Sequence, residues 1–193
     1  MGTLEFLSFD QVDIFFFFYF SGCKVHAYDP SSRVKRPENS YHENIHFHSL
    51  GLGHSNQIVT LRGPKGPEQI KIRKLDYLVK ENGDSDKTIS YLKVDIEGSE
   101  IQSFKQWLDS GILSKVDQIG VEMHTGKAQK LSLNLKKKTM YKSLIQFLQN
   151  ANKDYGFTVA AYNSNGCSAK QNDDQRLFYS FHDILLIKDS KRF

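Results

Sequence analysis

The sequence predicts an α/β fold with a Rossmann-like, mainly parallel sheet, helices on both faces and an antiparallel pair of strands at its C-terminal edge. Strand-like apolar runs alternate with amphipathic helical patterns along most of the chain, which is typical of parallel sheets. The last two strand patterns lack a helix between them, which favours an antiparallel edge pair. Two apolar runs end in polar side chains, Asp95 and Glu97 after one and Glu122 and His124 after the next. Open α/β sheets place ligands at such strand ends.

The first half of the chain contains four predicted elements. A short buried strand over 24–29 stops at Asp29-Pro30, and a second strand over 45–50 stops at Gly51-Leu52-Gly53. Two Gly-Pro pairs in residues 62–68 indicate a turn. A short strand over 70–72 and a short helix that opens at Leu75 follow.

The second half continues the alternation. The strand over 89–95 is followed by an amphipathic helix with apolar residues at Ile101, Phe104 and Leu108, which ends near Gly111. Further elements are a strand over 118–122, a helix around 141–148, and strands over 157–162 and 184–187. The polar segments 125–138 and 163–175 are predicted to be loops.

Composition narrows the function classes. A chain of 193 residues predicts one domain. The net charge of +4 comes from basic residues interleaved with acidic ones, which does not indicate nucleic-acid binding. Two cysteines, Cys23 and Cys167, form neither a disulfide framework nor a zinc site. The apolar run over 14–20 is far shorter than the roughly 20 residues of a membrane-spanning helix. No basic residue precedes it, so it is interpreted as a buried element, not a signal peptide. Localisation and oligomeric state are not indicated.

Each candidate site residue also has a structural interpretation. Asp29 can bind ribose hydroxyls or form an Asp-Pro turn that caps the following segment, and this residue alone favours the turn. Asp95 and Glu97 can contact a ligand, or stabilise the following helix N-terminus by about 0.3–1 kcal/mol each. The pair followed by Gly98 favours the ligand.

Glu122 and His124 are predicted at the same sheet edge as Asp95 and Glu97. Nearby carboxylates would raise the pKa of His124 and let it act as a general base. A divalent cation such as Mg²⁺ or Mn²⁺ bound by these four residues is an alternative, although the favoured interpretation contains no metal.

Several segments together resemble one family. They are Val25-His26-Ala27-Tyr28-Asp29-Pro30-Ser31, His48-Ser49-Leu50-Gly51-Leu52-Gly53, Leu75-Asp76-Tyr77-Leu78, Leu92-Lys93-Val94-Asp95-Ile96-Glu97-Gly98-Ser99-Glu100 and Val121-Glu122-Met123-His124. In order and spacing they resemble the FkbM-type methyltransferases and the methyltransferase-like proteins of animals, over residues 22–188.

The resemblance implies a class I methyltransferase with S-adenosylmethionine as methyl donor. It implies that Asp29 binds the donor's ribose, that Leu50 and Gly51 lie near the adenine, and that Asp95 and Glu97 lie beside the methionine end. Methyl transfer to an oxygen of an unknown small-molecule acceptor is the expected reaction. Its expected catalytic residues are His124, Glu122 and Asp95.

The N-terminus departs from the family pattern. The family has a first strand and a Gly-rich loop before the segment of Asp29, whereas only Gly2 and Gly22 precede Asp29 here. Residues 1–21 are therefore expected to be atypical and truncated, with the first strand missing or degenerate. A non-catalytic methyltransferase-like relic that acts as a binding or structural domain is the alternative function.

Overall fold

A computed structural model describes residues 3–7, 23–30, 44–63, 66–125, 133–164, 169–171, 177–179 and 181–189. These residues form a mixed α/β fold with three sheets and three α-helices. The strands are β1 Thr3–Leu7, β2 Lys24–Tyr28, β3 Ile45–His48, β4 Gly51–Leu52, β5 Gln57–Gly63, β6 Gly66–Arg73, β7 Thr88–Val94, β8 Gln118–His124, β9 Phe157–Ser164, β10 Ala169–Gln171, β11 Leu177–Tyr179 and β12 Phe181–Lys188. The helices are α1 Leu75–Glu81, α2 Glu100–Ser110 and α3 Leu133–Tyr155, with a 3-10 helix at Ile112–Lys115.

The large sheet has the strand order β3-β2-β1-β7-β8-β12-β9. The five strands from β3 to β8 are parallel to one another. The strand β12 is antiparallel to both β8 and β9. The described part therefore has a parallel majority and an antiparallel C-terminal pair, as the missing helix between the last strand patterns indicated.

The first strand is present, which corrects the expectation that it is missing or degenerate. Strand β1 lies between β2 and β7 and pairs in parallel with both. Its five residues were not recognised because no Gly, Pro or Asn marks where the strand ends at Leu7. The segment in which a Gly-rich loop is expected to be absent lies outside the described residues. The apolar run over 14–20 also lies outside them.

A three-stranded sheet, β4-β6-β5, projects from the connection between β3 and α1. Strands β5 and β6 form a hairpin in which Gly63 pairs with Gly66, at the turn that the Gly-Pro pairs indicated. Gly51 begins β4 and runs close to β6: a Cβ there would lie 2.7 Å from Ile72 Cδ1 and 3.3 Å from Pro30 Cγ. Only glycine allows this approach without displacing Ile72.

Neighbouring helices contact each other, α1 with α2 and α2 with α3. Helix α2 ends at Gly111, which has a φ of 73° and caps the helix in the left-handed conformation that favours glycine. The connections from β1 to β2 and from β2 to β3 lie outside the described residues. The prediction of helices on both faces therefore depends in part on residues outside the described ones.

Two predicted loops contain regular structure. Helix α3 already begins at Leu133, inside the predicted loop 125–138. The sequence obscured this start because Lys136-Lys137-Lys138 carries no apolar periodicity. Strand β10 lies inside the predicted loop 163–175 and pairs with β11. In the described part of the chain, no helix combines the length and the apolar character needed to cross a membrane.

Candidate functional site

Three acidic residues lie at one height near the carboxyl ends of three parallel strands: Asp29 follows β2, Asp95 follows β7, and Glu122 lies near the end of β8. Phe6 of β1 pairs with His26 of β2 and with Leu92 of β7, and Leu92 pairs with Ile119 of β8. Asp29, Asp95 and Glu122 each lie three residues beyond these partners. Since adjacent strands are about 4.8 Å apart, Asp29 and Asp95 lie roughly 10 Å apart on either side of β1. The chain order reverses between β1 and β7, and such a reversal opens a crevice.

A strained turn connects β7 to α2. Glu97 has a φ of 55°, and Gly98 follows with a φ of 103°. Left-handed backbone is unusual for a residue with a Cβ, and such strain is concentrated at functional sites. The Gly98 N–H donates to Glu100 Oε1 over 3.0 Å. The turn thus brings Glu97 to the edge and is closed by a buried carboxylate.

His124 and Glu100 form a buried pair under this turn. The side chain of His124 is 3% exposed and that of Glu100 is 1% exposed. His124 Nδ1 donates to Glu100 Oε1 over 2.9 Å, because a carboxylate can only accept. Phe181 of β12 packs against the imidazole, with ring centroids 4.8 Å apart. This pair fixes the ring and directs its other nitrogen, Nε2, away from Glu100.

Three carboxylates surround Nε2 of His124. Asp95 Oδ1 lies 3.6 Å away, Glu97 Oε2 3.7 Å and Glu122 Oε1 3.9 Å. The side chains of these residues are 15%, 67% and 24% exposed, in that order. Among the described residues, none lies within hydrogen-bonding distance of Nε2. The site therefore opens from a buried imidazole through Asp95 to solvent at Glu97.

The electrostatics of the site follow from burial and charge. Burial alone would lower the pKa of His124, but the hydrogen bond to Glu100 and the negative charges of Glu100, Asp95 and Glu97 outweigh it and raise the pKa. Burial raises the pKa of Asp95 and that of Glu122. The charges of Lys93 and His124 act against both increases. The site thus combines a basic imidazole with carboxyls that gain protons more readily than usual.

Asp29, Leu50 and Gly51 are close to one another on the other side of β1. The carbonyl of His48 accepts from the Asp29 N–H over 3.2 Å and from the Leu50 N–H over 2.9 Å. Gly51 packs beside Pro30, the residue after Asp29. The structure therefore joins the residues expected for ribose and adenine in one corner, at the ends of β2 and β3.

A second buried histidine, His26 of β2, lies in a hydrogen-bonded cluster on the same strands. Its Nε2 is 3.0 Å from Asp84 Oδ2 and its Nδ1 is 2.8 Å from His48 Nε2. Lys24 Nζ also contacts Asp84, at 3.2 Å. The rings of Tyr28 and His48 stack with centroids 4.5 Å apart. Burial, Lys24 and His48 lower the pKa of His26 to about 4.

One residue of the site, Glu100, was missed from the sequence. The residues expected at the edge, Asp95, Glu97, Glu122 and His124, do meet there. The sequence indicates Glu100 only as part of a motif, although the buried stripe of α2 consists of Glu100, Ser103, Phe104 and Trp107. A stripe extended one turn back from Phe104 contains a carboxylate. An acidic residue on the buried face of a helix is the signal that identifies it.

The fold and this edge define a mixed α/β domain in which acidic residues and a buried histidine lie together at one edge of the large sheet. A sequence model of a protein family, described as a methyltransferase domain, matches residues 18–167. The chain therefore belongs to this family of methyltransferase domains. Strand β1, which precedes the matched segment, is part of the same sheet. A comparison with curated protein sequences finds no significant relative.

A comparison with solved structures finds matches to two proteins. The methyltransferase FkbM from Methylobacillus flagellatus KT is 15% identical, with a TM-score of 0.43, and the match covers 84% of this chain and 37% of that one. A protein from Streptococcus thermophilus with the provisional name hemolysin is 12% identical, with a TM-score of 0.48; 97% of this chain and 59% of that chain are covered. The chain thus spans less than two thirds of the length of either protein.

Proposed function

We propose that this methyltransferase domain uses S-adenosylmethionine as donor and methylates an oxygen atom of a small-molecule acceptor. The observation that carries the proposal is the common height of Asp29, Asp95 and Glu122 at the carboxyl edge, on both sides of the reversal point next to β1. We interpret the large sheet as the Rossmann-like sheet of such enzymes. A nucleoside ligand in this crevice would meet a carboxylate at each end.

Residues on the β2–β3 side would hold the nucleoside. Asp29 would accept hydrogen bonds from the two ribose hydroxyls, the role that acids at this position have in nucleotide-binding folds. Leu50, which packs against the hydrophobic core, and Gly51 would form the wall beside the adenine. The Asp29 and Leu50 N–H groups both donate to the His48 carbonyl, which would hold the ribose site and the adenine site at a fixed distance from each other.

Residues on the β7–β8 side would hold the methionine end and the acceptor. Bound donor supplies a sulfonium-activated methyl group for in-line displacement. Asp95 and Glu97 would face the ammonium group and the positive sulfur, which favours carboxylates over neutral side chains. Glu122 and His124 would contact the acceptor, and one of them would take its hydroxyl proton. Glu100 would act as a positioning residue, because it holds the ring of His124.

Calorimetry with S-adenosylmethionine tests the proposal. The unsubstituted chain is expected to bind the donor, and Asp29→Ala is expected to weaken binding at least about tenfold, the effect of losing a charge-assisted contact of about 1.5–3 kcal/mol. Asp95→Asn is expected to weaken it as well. Asp109→Asn is the matched control, because the Asp109 side chain is 62% exposed and pairs with Lys105 on α2.

The outcomes separate the candidate functions. No heat at millimolar donor would contradict the proposal and favour the non-catalytic relic. Unchanged affinity in both Asp29→Ala and Asp95→Asn would refute the site assignment even if the donor binds. Circular dichroism of each variant shows whether lost binding reflects lost folding.

A further inference from the structure

We infer that His124 Nε2, Asp95 and Glu97 form a binding site for one divalent cation of the Mn²⁺ or Zn²⁺ type, with Glu122 beside it and Glu100 as the residue that orients His124. The inference uses Asp95 and Glu97, which the proposed function places beside the donor, but it is tested separately, because ion binding is measured without donor or acceptor. The argument rests on the orientation of His124, on the distances around Nε2 and on charge.

The buried imidazole is oriented as a metal ligand. Metal-binding histidines usually donate their second ring N–H to a carboxylate, which fixes the ring and increases its basicity. His124 Nδ1 donates to the buried Glu100 in this way, and Glu100 is itself held by the Gly98 N–H. Nε2 is left without a hydrogen-bond partner in the described part of the chain, although the side chain is 3% exposed.

The distances fit ligands around one ion better than hydrogen bonds. Asp95 Oδ1 and Glu97 Oε2 lie 3.6 and 3.7 Å from Nε2, beyond the range of an N–H···O bond. Two atoms that bind one ion at about 2.1 Å lie roughly 3–3.5 Å apart. Ligand atoms of Asp95, Glu100 and His124 all lie within 4.8 Å of one another. A contraction of a few tenths of an ångström would give the Nε2–Asp95 pair and the Nε2–Glu97 pair the separation of two ligands on one ion.

Charge and access also favour a cation. Two carboxylate ligands neutralise a divalent ion, and the mixture of imidazole and carboxylate favours Mn²⁺ or Zn²⁺ over Mg²⁺, which prefers oxygen ligands only. Glu97 is 67% exposed and provides a path from solvent. Its strained backbone, with a φ of 55°, keeps the carboxylate at the edge. A cation and a proton cannot both occupy Nε2, so ion occupancy also decides whether His124 or Glu122 is the base in the proposed reaction.

Titration of chelator-treated protein with Mn²⁺, followed by electron paramagnetic resonance, and with Zn²⁺, followed by calorimetry, tests the site. One ion per chain is expected. Asp95→Asn and His124→Gln are each expected to reduce affinity at least about tenfold, and Glu100→Gln about 10–100-fold, as measured for residues that orient ligands. His26→Gln is the matched control, since His26 is equally buried and also contacts a buried carboxylate. The affinity of this variant for the ion is expected to stay unchanged.

Absence of binding for both ions up to millimolar concentration overturns the inference. Equal affinity in His124→Gln and the unsubstituted chain also overturns it, and Asp95→Asn provides the same test if His124→Gln does not fold. Donor calorimetry in chelator keeps the two proposals apart. Donor binding without ion binding refutes only the cation site, whereas ion binding without donor binding refutes only the proposed function.

Discussion

His124 and His26 are both buried histidines that contact buried carboxylates, yet their pKa values move in opposite directions. Each side chain is 3% exposed, and each lies about 3 Å from its carboxylate, Glu100 for His124 and Asp84 for His26. The pKa of His124 is raised, whereas that of His26 falls to about 4. The neighbours beyond the first partner make the difference. Asp95 and Glu97 surround His124, while Lys24 and His48 lie beside His26.

The hydrogen bonds differ in the same way. Asp84 can only accept, so Nε2 of His26 donates to it, and Nδ1 of the neutral ring then accepts from His48 Nε2. Both nitrogens of His26 are therefore used inside the protein, as in a structural cluster. Nε2 of His124 instead faces a partly exposed group of carboxylates. His124 is therefore a candidate functional group because its second ring nitrogen faces these carboxylates and not a structural partner.

The largest expected effect on stability comes from removing the carboxylate partner of either histidine. Glu100→Ala and Asp84→Ala are each expected to lower the free energy of unfolding by about 3 kcal/mol, because each leaves a buried donor without its charged acceptor. Asp109→Ala, on the exposed face of α2, is expected to change it by less than about 0.5 kcal/mol. Urea denaturation measures all three. A cost for Glu100→Ala or Asp84→Ala as small as that of the control would contradict the assigned pairs.

The second-largest expected effect is destabilisation of the folded chain by acid, through protonation of His26. The pKa of His26 is about 4 in the folded protein, against an ordinary value of 6.5. Because the folded value is the lower one, the stabilisation is complete above 6.5 and is lost as pH falls towards 4, by about 3 kcal/mol. Denaturation at several pH values checks this loss. His26→Gln is expected to flatten the curve in that range, and an equally steep curve in the variant would exclude His26 as its cause.

In chelator-treated protein, the contribution of His124 to stability is expected to change with pH in the opposite direction to that of His26. Its folded pKa is raised, so its contribution to stability is complete below the ordinary value near 6.5 and declines as pH rises through the raised value. His124→Gln is expected to remove this decline, as measured by thermal unfolding between pH 6 and pH 9. If the unsubstituted chain gains stability relative to the variant over this range, the sign is wrong.

The smallest expected effects concern backbone strain near the two histidines. Glu97→Gly is expected to stabilise the chain by up to about 1 kcal/mol, because glycine adopts the φ of 55° without strain. Gly83→Ala, next to Asp84, is expected to cost about 1 kcal/mol, since Gly83 has a φ of 73°. Thermal unfolding compares them. A loss of stability in Glu97→Gly would show that side-chain contacts of Glu97 outweigh its backbone strain.

Much of the site edge could be predicted from the sequence, because parallel strands end at one edge and Asp95, Glu97, Glu122 and His124 follow adjacent apolar runs. The equal height of Asp29, Asp95 and Glu122 could not, since it depends on the register of β1 against β2 and β7. That strand is expected from the sequence to be missing or degenerate.

The contrast between the environments of the two histidines also could not be predicted from the sequence. Asp84 is 58 residues from His26, and no local pattern relates them. Glu100 was closer to recognition, because it lies one helical turn before Phe104 on the buried face of α2. Acidic residues in a first helical turn suggest capping, and this interpretation hid its contact with His124.

Nuclear magnetic resonance of the histidine side chains during donor addition tests the central claim, that the edge of His124 is the functional site and the cluster of His26 is structural. S-adenosylmethionine added to isotope-labelled protein is expected to shift the ring signals of His124 strongly and those of His26 much less. Signals assigned by His124→Gln and His26→Gln give the comparison. Unmoved His124 signals, or a larger shift at His26, would contradict the account.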